Sequence, residues 1–288
     1  MGQTSILILV TTTFSRRAKW GAAILSAGAL LMGGCPRMVQ YWNVSRSDAE
    51  IRRAGRAIVA SSNATQRSEA YAERADAYAE KSRYSRVMKL IASDEYSKLF
   101  DLAVQDYNQA IALDPGNAAL YYRRGNAYYF RASLDMIYAP YTSAFLAPAK
   151  ADFSRFVEKN PKDAMGFDML GLTDGSMGNW TEAIADFEKE TALDPRQNFR
   201  VIDAYCNRGS HNSKDNYDLA ISDLNRAIQM RGTSDPCECE PYNPLLAIYL
   251  NQKQDYGKAQ EVVALAQRSK KWIAPEYLAQ LKTATANR

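Results

Sequence analysis

The sequence predicts an all-α chain of antiparallel helix pairs stacked side by side. Segments Ala118 to Pro161 and Ala164 to Pro195 repeat one residue pattern, and Pro161 and Pro195 stand 34 residues apart. In Phe167-x3-Gly171-x11-Ala183-x3-Phe187-x7-Pro195 the small and apolar residues fall where two antiparallel helices must touch. The first helix needs a large residue and then a small one a turn later, so that the second can approach closely. The second offers a small residue, an aromatic four positions on, and a proline near its end. Each hairpin leaves one apolar face uncovered, and stacking the next hairpin on it buries that face.

The same rules order the whole chain. A leading half-unit, Asp48 to Ala60, starts the stack. Tyr71, Ala75 and Tyr78 mark the next first helix, and Ala103, Tyr107, Ala110 and Pro115 its second. Tyr121, Gly125 and Tyr128 pair with Ala149, Phe153, Phe156 and Pro161. The regular unit, Phe167 to Pro195, departs at Glu190, where a small residue is expected and the packing is expected to be looser. Tyr205 and Gly209 pair with Ala220, Leu224 and Ala227, and a weaker unit runs through Ala247, Leu250, Ala259, Val263 and Ala266. Pro275 to Thr285 has an early-helix proline and reads as a closing helix over the last exposed face.

These residues resemble the tetratricopeptide repeat (TPR). The resemblance implies a right-handed superhelical solenoid of antiparallel helix pairs over residues 48–288. It also implies a groove lined by first helices that holds an extended or helical peptide. Carried over by alignment, the groove positions are Tyr122, Asn126 and Tyr129, then Asp168 and Leu172, then Cys206. Of the lysines, arginines and asparagines with which some family members grip a terminal carboxylate, only Asn126 has a match here.

Two units are longer than the pattern requires. The spacing between small residues is 12 from Gly171 to Ala183, but 28 from Ala75 to Ala103 and 24 from Gly125 to Ala149. The excess falls in hairpin insertions near 79–102 and 130–148. Split between two helices, it would lengthen each by roughly 9 to 12 Å at 1.5 Å per residue. The second insertion carries Phe130, Met136, Ile137, Tyr138, Tyr141, Phe145 and Leu146, interrupted by Pro140 and Pro148. Two readings stand: a local mini-core, or a partner contact surface made by Met136, Ile137, Tyr138, Tyr141 and Phe145.

Residues 1–34 contain Arg16, Arg17 and Lys19, no acidic residue, and an apolar run from Trp20 to Met32. A basic region, a short apolar core and small residues before a cysteine make an export signal. Leu31-Met32-Gly33-Gly34-Cys35 resembles a bacterial lipobox. That resemblance implies removal of residues 1–34, diacylation of Cys35, a tether over 35–47, and attachment to the inner or outer membrane of the cell envelope, facing the periplasm. Trp20 to Gly34 is shorter than the roughly 20 apolar residues of a membrane span. Without the three signal charges the net charge falls from +4 to +1, which gives no support to nucleic-acid binding.

An oxidising compartment favours disulfides. Cys206 lies in one first helix, and Cys237 and Cys239 precede the next, so a bridge from Cys206 to Cys237 or Cys239 is expected. Three free thiols are the alternative. A zinc site would need His211, the one histidine, and the Cys237-x-Cys239 spacing matches no common pattern.

His211 in a polar turn is also the lone base available to a hydrolase, and no glycine-rich phosphate loop is present. Glu182, Asp186 and Glu188 fall at solvent-facing positions. The expectation is no catalytic residue, no metal and no cofactor. It is a membrane-anchored scaffold or adaptor with protein partners, or a permanent subunit of a membrane complex. A thiol-active envelope protein using Cys206, Cys237 and Cys239 is a third reading.

Overall fold

The computed structural model describes residues 36–87, 93–136, 144–231 and 239–286. These are helical apart from short connections, and they fall into two compact units, 1–115 and 116–288.

The first unit contains α1 (Pro36–Ala60), α2 (Ala64–Val87) and α3 (Ser93–Leu113). Helix α2 packs against both of the others. Its buried alanines fall on two faces, Ala70 with Ala77 and Ala72 with Ala75, as a helix packed between two others requires, and Phe100 and Tyr107 of α3 are buried. Short side chains on one helix let the large ones on its neighbour close the gap. Buried hydroxyls bond across the pair, Ser68 Oγ to the Ala110 carbonyl at 2.8 Å and Ser82 Oγ to that of Tyr96 at 2.9 Å.

One expectation changes here. Helix α1 begins at Pro36, so the stretch read as a tether continues into the packed helix, with Ser47 fully buried. The first insertion extends both helices, to 24 and 21 residues, and Ser82, Ser85, Tyr96, Leu99 and Phe100 within it are buried.

The second unit runs through α4 (Ala118–Met136), α5 (Leu146–Lys159), α6 (Ala164–Ser176), α7 (Trp180–Leu193), α8 (Asn198–Asn212) and α9 (Tyr217–Met230). Then come α10 (Tyr242–Ala247), which continues into a π-helical turn at Ile248–Gln252, α11 (Tyr256–Arg268) and α12 (Pro275–Ala286). Each α4–α5, α6–α7 and α8–α9 pair packs tightly, and α5 meets α6 as α7 meets α8.

Helix ends follow local chemistry. Asp163, Asn216 and Asp255 accept from the amides of Met165, Leu219 and Lys258, capping α6, α9 and α11. Pro161 and Pro195 each lie two residues beyond a helix that has already stopped.

The small-to-large pattern is a steric requirement. A Cβ built on Gly171 would stand 2.6 Å from the Phe187 ring, and one on Gly125 2.8 Å from the ring of Phe153. The second insertion is not shared between two helices as the first is. Helix α4 grows to 19 residues, whereas α5 keeps the 14 residues of α7. Pro148 stands in the first turn of α5, where its missing amide costs no helical hydrogen bond.

Candidate functional site

The first helices of the second unit bring together most of the groove positions read from the sequence. On α4, Tyr122 packs edge-on to Phe153, with ring centroids 5.9 Å apart, and against Phe156 at 4.9 Å, while its hydroxyl bonds to Asn126. Burial raises the Tyr122 hydroxyl above its usual range, and the Asn126 bond offsets part of the shift. Two turns on, Tyr129 reaches α6, where its hydroxyl lies 3.4 Å from Ser176 Oγ. Both tyrosines thus pack within the stack, against the cluster of Ala149, Phe153, Met169 and Leu170.

Asp168 of α6 forms an ion pair with Arg200 of α8, Oδ1 to Nε 3.1 Å. Behind this pair sits Glu190 of α7, only 3% exposed. The expected loosening at Glu190 does not occur; the carboxyl is packed away, and its Oε2 makes no hydrogen bond. Burial, and then the nearby Asp168 charge, push its pKa to about 8 against the pull of Arg200. The Asp168 carboxyl is itself raised by burial, with Arg200 opposing.

Beside the Asp168–Arg200 pair, α6, α7 and α8 line an open cavity of about 380 Å³. Leu172, Trp180, Phe187 and Ala204 give it an apolar wall, and Ser176 and Asn207 supply hydrogen-bonding groups.

Cys206 is not part of the groove. It is fully buried and bonded to Cys239, Cα atoms 6.3 Å apart, which ties α8 to the segment leading into α10. Cys237 lies outside the described residues, as do Cys35, Ile137, Tyr138 and Tyr141. Met136 closes α4. Phe145 folds back onto its own hairpin, stacked on Tyr128 at 6.5 Å and lying under the Arg131 guanidinium at 4.7 Å. His211 is exposed in the last turn of α8, not in a turn outside it. Among the described residues, no group of three or more metal-ligating side chains comes together.

Asp186 corrects another expectation. Glu182 and Glu188 are exposed, but Asp186 is buried, because the residue before Phe187 lies at the edge of the stripe that meets α6. It is held by Lys189 at 3.1 Å.

The sequence reading missed a recurring ion pair. Arg74–Asp106, Arg124–Asp152 and Arg208–Asp223 each join the two helices of one pair through both carboxylate oxygens. In every case the arginine immediately precedes the small residue (Ala75, Gly125, Gly209) and the aspartate precedes the large one (Tyr107, Phe153, Leu224). The regular pair has Leu170 in place of the arginine and keeps Asp186. That offset was readable from the repeats.

A family model described as "TPR repeat" matches residues 100–129. No curated protein matches the chain. Similar solved structures include the crystal structure of MamA, 18% identical, covering 67% of this chain and 95% of that one, with a TM-score of 0.39. Another is the crystal structure of YrrB, titled "a TPR protein with an unusual peptide-binding site". It is 17% identical and covers 73% of this chain and 91% of that one, with a TM-score of 0.41. Residues 100–129 thus match a tetratricopeptide repeat, and the described residues form an all-α array of antiparallel helix pairs with small-against-large contacts.

Proposed function

We propose that the chain is a non-catalytic scaffold of the bacterial cell envelope, held to a membrane by a lipid on Cys35, that binds an extended segment of a protein partner. The observation that carries the binding reading is the cavity between α6, α7 and α8. It adjoins Tyr129, Asp168 and Ser176, and its wall is apolar with hydrogen-bonding groups at hand. The described polar clusters are internally paired, as in Asp168–Arg200 and Arg208–Asp223, and offer no nucleophile with an adjacent base.

Photo-crosslinking from Leu172 and Asn207, in cells, tests the site. A discrete adduct from both positions, lost with helicity intact in Ser176→Trp, which puts a large side chain at a partly buried position of the cavity wall, is the expected result. No adduct from either position, with helicity intact, defeats the groove reading. A chain lacking residues 132–147 separates the two surfaces: loss of partners only on that deletion moves the contact to the second hairpin. The anchor is tested separately by metabolic labelling with an alkyne fatty acid, which Cys35→Ser should abolish.

A further inference from the structure

The connection between α11 and α12 carries Arg268, Lys270, Lys271 and Trp272 within five residues. Trp272 is 66% exposed, the largest of the exposed apolar side chains among the described residues, whereas Ile273 and Ala274 beside it are buried.

The backbone enforces this contrast. The amides of Ser269, Lys270 and Lys271 donate to the carbonyls of Leu265, Gln267 and Ala266 at 3.0, 3.0 and 2.9 Å. Lys270 takes a left-handed conformation with φ 53°. On the far side, the Ala274 amide donates to Asn243 Oδ1 at 3.0 Å. The chain is pinned before and after the indole, so Trp272 is held outward and cannot fold into the gap between α11 and α12.

The surrounding charge is cationic. Arg268 and Lys270 are exposed, with Arg268 Nε directed at the Ala264 carbonyl, 3.3 Å away. Lys271 lies 3.6 Å from Glu240, and Glu276 is exposed in the first turn of α12. Arg268, Lys270 and Lys271 stand against two carboxylates, Glu240 on Lys271 and Glu276, so the patch carries a net charge of +1. An indole is amphipathic and settles at the headgroup level of a bilayer, and lysine and arginine beside it are drawn to anionic phosphates.

We infer that the turn from Arg268 to Trp272 is a contact for an anionic lipid surface, with the indole at headgroup depth and the three cations on the phosphates. Lysine is depleted at protein–protein interfaces; here Lys270 and Lys271 directly precede the indole. The contact is independent of a lipid on Cys35. Where such a lipid is present, the two act as paired signals, which stable attachment favours.

The test uses the full chain carrying Cys35→Ser, so that acylation plays no part and its outcome is separate from that of the anchor. Residues 1–34 are common to all variants. Subtracting the fluorescence of a Trp272→Phe version isolates Trp272 from Trp20, Trp42 and Trp180. Vesicles of equal parts phosphatidylglycerol and phosphatidylcholine should shift the difference emission to shorter wavelength, with quenching by brominated acyl chains. Pure phosphatidylcholine should do neither. Lys270→Gln with Lys271→Gln should raise the half-saturating lipid concentration roughly 25-fold, about fivefold for each charge removed.

An unchanged difference emission on the anionic vesicles at low salt overturns the inference. So does a shift produced by a polyglutamate peptide but not by the vesicles, which makes the turn a protein contact.

Discussion

Arg124 places its Nε 2.8 Å and its Nη2 2.6 Å from the two carboxylate oxygens of Asp152, joining α4 to α5 beside the Gly125–Phe153 contact. The hydrogen bonds to Asp152 raise the arginine above its usual range. Burial is the leading influence on the carboxyl, so removing the guanidinium leaves an uncompensated buried acid. Arg124→Ala should destabilise the chain by about 2–4 kcal/mol in urea unfolding. Adding Asp152→Ala should recover part of that loss, because no buried charge remains unpaired. Equal losses in the single and double variants would mean that the pair contributes only packing.

Glu190 makes stability depend on pH. Its folded pKa, about 8, lies above the unfolded value near 4.5. Its contribution is therefore fully present below pH 4.5 and is lost as pH rises through 8. The parent should lose stability across that window, since the carboxylate that forms faces Asp168 and Asp194 as well as Arg200. Glu190→Gln should flatten this part of the profile and be the more stable protein above pH 8. Thermal unfolding midpoints measured from pH 5 to pH 9 check both signs.

The Cys206–Cys239 bridge closes a loop with a sequence separation of 33. Chain entropy assigns such a loop about 3–4 kcal/mol. Reduction should lower the urea midpoint of the parent and leave that of the doubly substituted Cys206→Ser, Cys239→Ser chain unchanged. Alkylation before and after reduction, read by peptide mass, identifies the paired cysteines.

Gly171 has no room for a methyl group against the Phe187 ring, which is itself buried. Gly171→Ala should cost about 1–3 kcal/mol through overpacking. Gly257 provides the comparison, because a Cβ there would meet its nearest neighbour, Asp255 Oδ1, at an ordinary 3.5 Å. A similar cost at both positions in denaturant unfolding would argue against the close approach of α6 and α7.

The helix pairs were legible because their contacts are short-range in sequence. Gly125 and Phe153, or Gly171 and Phe187, sit at spacings set by helical periodicity and one turn, so residue size alone identifies the touching positions. The positions read as a groove share helix faces for the same reason: Tyr122, Asn126 and Tyr129 lie on one face of α4, and Asp168 and Leu172 on one of α6.

What the chain order did not contain was the third dimension of each pair. An aspartate one place before an aromatic reads as solvated until the opposing helix is in position, and only then is Asp186 buried and Asp152 met by Arg124. Glu190 reads as a packing fault in one dimension; in three it is a neutralised carboxyl behind Asp168 and Arg200. The choice of Cys239 as the partner of Cys206, and the extra length placed in α4 but not in α5, likewise depend on which backbones approach within bonding distance. Size and periodicity are properties of residues, whereas burial and pairing are properties of the space between helices, and that space exists only once the helices have packed.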